Sequence, residues 1–439
     1  MIQNRCDLII DADWIVPVSA GQDPIENASI AISQGLIVKV GGQEHVHREF
    51  QCNDIISLEQ HILLPGLVNA HGHAAMSLFR GYAEDSPLEA WLTDNIWPLE
   101  NKWVNSDFVK TGTRLALAEM IHSGITCFAD MYFFPEIVAK TAKEFGMRSQ
   151  IAFPILPFPT AWSRSAEECF HKGLDLHDEY RADSEIKIAL GPHAAYSLPE
   201  EDLRKVFMFS EELNADVHMH LLETATEVAD GKSRMGYSWI AFLDEIGLLG
   251  PRLQAVHVVH AQPTEIDLLS EKQVRIIHCP TSNLKLASGI ADINSLISAG
   301  LTVGLGTDSA ASNNSLDILA EARMSSLLSK HVSNNAAVIS ATKALEMATL
   351  GGAKALGLDH VTGSLETGKS ADIIAVDMRA AKYQPIYDPI AQLIYTNSGA
   401  AVTDSWVQGK RLLENRNLVT MEEEQILKAT EEWRRRIAS

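Results

Sequence analysis

The chain predicts an α/β fold: a TIM-like (β/α)8 barrel carrying a small composite β-sandwich built from both chain ends. Three observations lead there. The middle of the chain alternates short β-rich runs with helical stretches, eight times over. The two ends are strand-rich instead, and neither could bury a core alone. Polar residues recur at the C-terminal ends of otherwise apolar runs, the rim on which such barrels build their sites.

Residues 1–63 read as the first part of the β-sandwich. Leu8-Ile9-Ile10, Trp14-Ile15-Val16, Ala28 to Ile32 and Leu36 to Val40 are short β-rich runs, broken by Gly21, Asp23-Pro24, Gly35 and Gly41-Gly42. Residues 64–362 read as the barrel. Its first strand is expected at 64–73, ending in His71-Gly72-His73; Gly72 suits a crowded strand end. The other seven are expected at 125–130, 149–153, 186–190, 215–220, 254–260, 274–278 and 301–308. Pro199 and the acids after it begin one helix; Ser315 is expected to cap another, with an apolar stripe behind it. Residues 363–439 return to the β style, with a strand after Gly363 to Asp372, another at Ser405-Trp406-Val407, and a charged terminal helix at 422–436.

Composition narrows the function. Of 439 residues, 46% are hydrophobic and 21% charged, so a large core can form. The formal net charge of -21 argues against nucleic-acid or anionic-membrane partners, which need a basic surface. The first ten residues lack the apolar core of a signal peptide, and no apolar run reaches membrane-spanning length. Cys6, Cys52, Cys127, Cys169 and Cys279 are scattered and odd in number, the pattern of reduced thiols. The expectation is a cytoplasmic enzyme acting on a small molecule.

The polar rim carries the chemistry. Side chains on a strand alternate faces, so His71 and His73 should point the same way and could share one divalent ion. His45-Val46-His47 has the same spacing in a charged stretch with no buried strand before it, and is expected to bind nothing. His193, His220, His257, His278 and Asp308 fall at the ends of other expected strands, and buried polar groups are costly unless paired or metal-bound. His220 is nearer the rim than His218, which is read as a satisfied inner histidine. Glycines before Asp308 allow close approach. His71, His73, His220 and Asp308 with a water suit zinc or another borderline divalent metal, iron included. The fourth strand end offers no lysine to bridge two ions, so one metal is expected. Glu223 stands three residues after His220, where a carboxylate reaches a bound water or a substrate ring nitrogen; Glu227 reads as a surface acid.

These residues resemble a known family. Residues 65–73, His220-Leu221-Leu222-Glu223, His278 to Leu286 and Gly306-Thr307-Asp308-Ser309 are similar to the amidohydrolase superfamily, and the Gly363 to Asp372 return shares that likeness. Within it, Phe79 to Asp85 and Trp91 to Glu100 resemble the 5′-methylthioadenosine/S-adenosylhomocysteine deaminases, a likeness covering nearly the whole chain. The resemblance implies that His71, His73, His220 and Asp308 hold the metal. It implies that Glu223 shuttles protons and that His257 orients the attacking hydroxide and the developing oxyanion. His193 would contact the purine ring, Glu100 accept both ribose hydroxyls, Trp91 form an apolar wall and Ser312 a polar contact. His260 and His278 read as supporting or core histidines.

The implied reaction is hydrolytic deamination at C6 of an adenine ring, with Asp308 taking the water's proton and Glu223 protonating N1. Guanine deamination and triazine hydrolysis on the same barrel are the alternatives, and a metal-binding protein without activity is a remote third. Glu100 discriminates, since only a ribosyl substrate needs a diol acceptor. A substrate carboxylate would want an arginine, for which Arg164 is the candidate, whereas Phe158, Pro159 and Trp162 suit a methylthio group. The fold also carries the expectation of a homo-oligomer.

Overall fold

The computed structural model describes residues 4–439; residues 1–3, the start of the expected N-terminal segment, lie outside the described residues. The chain opens with β1 (Leu8–Ile15), β2 (Ile25–Ser33), β3 (Leu36–Gly42) and β4 (Ile55–Pro65). The runs at 8–10 and 14–15 form one strand: Asp11 sits opposite Ser29 and takes its hydroxyl, Ala12 pairs next, and the ladder passes over Asp13 to resume at Trp14.

Eight parallel strands follow: β5 (Leu67–Asn69), β6 (Ile125–Asp130), β7 (Arg148–Ile155), β8 (Ile186–Pro192), β9 (Val217–Leu221), β10 (Leu253–His257), β11 (Arg275–His278) and β12 (Val303–Leu305). They pair strictly in sequence order, β5 to β12. Each residue of β6 and β7 is buried, as strands covered on both faces require. The seam between first and last strand is closed by the Ala70 N–H donating to Leu305 O at 2.8 Å and the Asp308 N–H donating to His71 O at 3.1 Å. Gly306 makes this approach feasible, since a Cβ there would lie 2.8 Å from His71 Cβ.

The chain then returns through β13 (Ile373–Asp377), β14 (Val402–Val407), β15 (Lys410–Glu414) and β16 (Asn417–Leu418) to the first sheet. Its order is β16-β15-β14-β13-β4-β1-β2-β3, so one eight-stranded sheet is made from both chain ends. The loop ahead of β13 reaches the edge strand β3. Ile37 donates to Lys369 O at 2.9 Å and accepts from Gly368 N–H at 2.8 Å. Ile10, Ile30, Leu63, Ile373 and Trp406 share the resulting core. Leu64 and Pro65, expected to open the first barrel strand, pair instead with Ile374 and Ile373 of this sheet. A fully buried ion pair, Arg148 Nε to Asp372 Oδ2 at 2.9 Å, links barrel strand β7 to the sheet.

Two helix starts are informative. The helix after Pro199 spans Glu200–Leu213 as its acids predict. The helix Ile318–Val332 is capped by Asp317, not Ser315: the Asp317 carboxylate accepts from the Leu319 and Ala320 N–H groups and so outcompetes a hydroxyl further upstream. The terminal helix covers Glu423–Ile437 and buries Trp433 edge-on against Phe108. No helix among the described residues is long and apolar enough to cross a membrane.

Candidate metal centre and substrate cavity

His71 and His73 stand just past β5, on extended chain, with their rings 4.8 Å apart and perpendicular. Their Nε2 atoms lie 3.4 and 3.3 Å from Asp308 Oδ1. The ligand atoms of His71, His73 and Asp308 lie within 4.8 Å of one another, and so do those of His71, His220 and His257. The two sets share His71, and His71 Nε2 is buried with no hydrogen-bond partner. A buried imidazole nitrogen aimed at neighbouring imidazoles and a carboxylate fits a divalent cation held by nitrogen and oxygen donors. Burial alone would raise the Asp308 carboxyl, yet His71 and His73 beside it hold it well below the usual range. Asp308 has φ +60° and His257 φ +75°, left-handed conformations that non-glycine residues rarely adopt and that cluster at functional sites.

Each of these groups spends its other polar atom on a fixed partner. His73 Nδ1 faces Met131 O at 2.5 Å and His220 Nδ1 faces His193 O at 2.7 Å. Ser282 and Ser312 donate hydroxyls to Asp308 Oδ2 at 2.6 and 3.1 Å. His71 Nδ1 lies 2.8 Å from His218 Nε2, and His218 Nδ1 lies 2.7 Å from Gln254 Oε1. Gln254 Nε2 donates to Asp216 Oδ2 at 3.2 Å, and Asp216 is ion-paired with Lys187 and Arg275. A polar chain thus runs from His71 through the barrel interior to an ion cluster where β8, β9 and β11 begin. If His71 presents Nε2 to a cation, its Nδ1 carries the proton and donates to His218, which fixes every tautomer along the chain. His218 is the satisfied inner histidine, and burial lowers it to about 4, so it is neutral at pH 7.

Glu223 is buried, and burial raises its carboxyl, which favours the protonated form that a proton donor needs. Its Oε2 lies 3.8 Å from His257 Nε2, and its Oε1 accepts from Ser288 Oγ at 3.2 Å. Asn283 Oδ1, 2.8 Å from His257 Nδ1, turns His257 Nε2 toward the cavity. Glu227 is not the surface acid expected from sequence. It is buried and accepts the Leu222 and Glu223 N–H groups at 2.8 Å each, so it shapes the turn that carries Glu223.

A cavity of about 490 Å³ opens over this cluster. Glu100, His193, Trp91 and Ser312 all line it together with His73, His220, Glu223, His257 and Asp308. Glu100 accepts the Tyr132 hydroxyl at 2.7 Å, and burial raises its carboxyl to about 7. Burial lowers His193 to about 4, so its imidazole is neutral at pH 7, and its Nδ1 is buried without a partner. The Ser312 hydroxyl is engaged with Asp308. Trp91 donates Nε1 to Ala83 O at 3.2 Å and offers the cavity its ring, on a π-helical turn (Trp91–Ile96) that widens the helical segment 88–103. Arg164 does not line the cavity: its side chain is 89% exposed and paired with Glu168 at 3.2 Å. Its position four residues before Glu168, just ahead of the helix Ala166–Tyr180, makes that pair the easier one. Nothing in the sequence singles out Tyr132, Asn283 or Gln254; of these only Asn283 lies inside a motif, His278 to Leu286. His260 Nε2 faces Ser288 O at 2.7 Å, behind Glu223. His278 is buried at the end of β11 and lies outside the cavity lining. His45 and His47 lie on the helix Gln43–Glu49, where His47 contacts Asp11 at 2.9 Å.

Comparison with known proteins places the chain in context. The profile of the Amidohydrolase family matches residues 62–412. A 5-methylthioadenosine/S-adenosylhomocysteine deaminase of Teredinibacter turnerae is 44% identical over 99% of this chain and 98% of its own length. One of Moorella thermoacetica is 40% identical over 95% and 97%. The solved structure of an adenosine deaminase from Xanthomonas campestris with bound zinc superimposes with a TM-score of 0.98, at 40% identity and 100% coverage of both chains. A triazine hydrolase variant superimposes with a TM-score of 0.91 at 25% identity, covering 97% of this chain and 99% of that one.

Proposed function

The chain belongs to the amidohydrolase family, and from that premise we infer that it deaminates the adenine ring of 5′-methylthioadenosine and/or S-adenosylhomocysteine by hydrolysis. Ammonia leaves and an inosine-type product remains. The protein is a hydrolase of C–N bonds in cyclic amidines that holds a divalent metal ion. We assign one ion, zinc first, to His71, His73, His220 and Asp308; the donor set and the unpartnered His71 Nε2 support this. Such an ion supplies a Lewis acid and makes water a nucleophile at neutral pH.

The residues divide the remaining work. The Asp308 carboxylate, kept ionised by its histidines, accepts the water's proton. His193 and Glu223 meet the two edges of the purine ring. Glu223, raised by burial, delivers a proton to N1, so the ring can accept the electron pair as the C6–O bond forms. His257, held through Asn283, faces the oxygen as negative charge develops on it. Return of a proton to the amino nitrogen lets the C6–N bond break and ammonia depart. Glu100 accepts the ribose hydroxyls.

The observation that carries this reading is that Glu100 and Glu223 share one cavity with the metal-ligand set. A bare heterocycle leaves Glu100 with the Tyr132 hydroxyl and no second donor, whereas a ribose supplies two more. The test is to incubate zinc-loaded protein with methylthioadenosine, S-adenosylhomocysteine, adenosine, guanine and a chlorotriazine, following ultraviolet loss of the substrate and ammonia release. Deamination of the thioether nucleosides that chelation abolishes is expected. Turnover of guanine or the triazine, with none on any adenosine, overturns the substrate.

A further inference from the structure

Beyond the chemistry at the ring, the cavity walls select the tail. With the purine against Glu223 and His193 and the ribose at Glu100, the rest of the lining is left for the 5′ substituent. Trp97 lies one helical turn before Glu100 on the helix Trp97–Trp103, and both line the cavity. Leu88 and Leu92 continue that wall. Across from it stand Leu156, Phe158 and Pro159, from the loop after β7. Trp97 is 45% and Phe158 49% exposed, although both face the cavity. Large apolar surface left open at a cavity mouth marks a place where an apolar ligand group is buried.

The charges point the same way. The ionisable side chains lining the cavity, besides its histidines and Tyr132 and Tyr196, are Glu100, Glu223, Glu227 and Asp308; no lysine or arginine is among the described lining residues. The first arginine and the first lysine after Phe158 in sequence are committed elsewhere. Glu168 takes both Arg164 and Lys172, the latter at 2.8 Å, and Lys172 also donates to Trp162 O. A zwitterionic homocysteinyl tail would have to seat its carboxylate with no lysine or arginine to pair it, only uncharged polar groups such as Asn101 and Thr160, at the cost of desolvation. A methylthio group needs no such partner and can bury itself against Trp97, Leu156, Phe158 and Pro159.

Resting on the adenine-deaminating reading above, we propose that this site is selective for adenosines with an uncharged, apolar 5′-thioalkyl group, methylthioadenosine first, and discriminates against the charged amino-acid tail of S-adenosylhomocysteine. Trp97 and Phe158 are the specificity-determining residues.

The test measures kcat/KM of the zinc-loaded enzyme on methylthioadenosine, 5′-butylthioadenosine, S-adenosylhomocysteine and adenosine. Butylthioadenosine has nearly the reach of the homocysteinyl tail without its charges. Methylthioadenosine and butylthioadenosine should exceed S-adenosylhomocysteine by about tenfold or more, and adenosine should also fall below methylthioadenosine because no apolar group is buried. Equal rates on methylthioadenosine and S-adenosylhomocysteine overturn the proposal. Poor turnover of both long tails also overturns it, since length and not charge would then decide. Phe158→Arg should raise the ratio of S-adenosylhomocysteine to methylthioadenosine turnover; an unchanged ratio removes Phe158 from the tail site. Failure of every adenosine, by contrast, sinks the deaminase reading itself.

Discussion

At the floor of the cavity each metal-facing or proton-handling group is held by a polar partner. His71 leans on His218, His73 on Met131 O, His220 on His193 O, His257 on Asn283, and Asp308 on two serines. At the mouth, Leu92, Trp97, Phe158 and Pro159 have no polar side-chain atom placed this way; they are walls positioned by packing. The floor hangs from strand ends of a rigid barrel, the mouth from a helical segment and a loop. The contrast teaches how one scaffold serves several reactions. Chemistry needs lone pairs aimed to within tenths of an ångström, which hydrogen bonds supply, whereas selectivity needs only shape and polarity, which a loop can change without disturbing the floor. A triazine hydrolase variant sharing this fold with a TM-score of 0.91 fits that division.

The sharpest way to break the comparison is at the floor. Glu223→Gln keeps the size of the side chain and removes its proton. Turnover should fall by about 10²–10⁴. Bound metal, measured by elemental analysis, should stay at the wild-type level because Glu223 is not among the ligands. Near-normal turnover would take Glu223 out of proton transfer.

His218→Phe tests whether the second layer matters as much as the first. It preserves a buried ring but leaves His71 Nδ1 without its partner, so His71 is free to adopt the wrong tautomer. Metal affinity, read by competition with a coloured chelator, should weaken about 10- to 100-fold. Circular dichroism should show an unchanged fold. Unchanged competition would mean that the polar chain through Gln254 to Asp216 only fills the barrel.

The same division explains what the sequence disclosed. His71, His73, His220, His257 and Asp308 were legible because they interrupt apolar runs at one end of each, and Glu223 because it follows His220 at the strand end. Barrel strands announce themselves through burial on both faces. Glu227 was misread because nothing local distinguishes a solvated acid from one folded back onto two backbone N–H groups. Tyr132, Asn283 and Gln254 escaped for the same reason: their roles rest on contacts across the barrel that spacing does not encode. Arg164 was suggested by its loop, but a carboxylate four residues on claims it.

The smallest expected effect lies where floor meets mouth, at Glu100. Its carboxyl is raised to about 7, chiefly by burial, with the Tyr132 hydroxyl pulling the other way. Only the ionised form can accept both ribose hydroxyls, so binding should weaken as pH falls through about 7 and be complete above it. KM for methylthioadenosine should therefore climb on the acid side while kcat follows Glu223 separately. Glu100→Gln should raise KM about tenfold at pH 8, the worth of a hydrogen bond to a charged group, and should flatten the acid limb. Tyr132→Phe removes a donor that favours the carboxylate, so the limb should move to higher pH. A KM that ignores pH between 6 and 8 in the wild type, or a limb that survives Glu100→Gln unchanged, would detach Glu100 from the ribose and leave the floor alone to recognise the substrate.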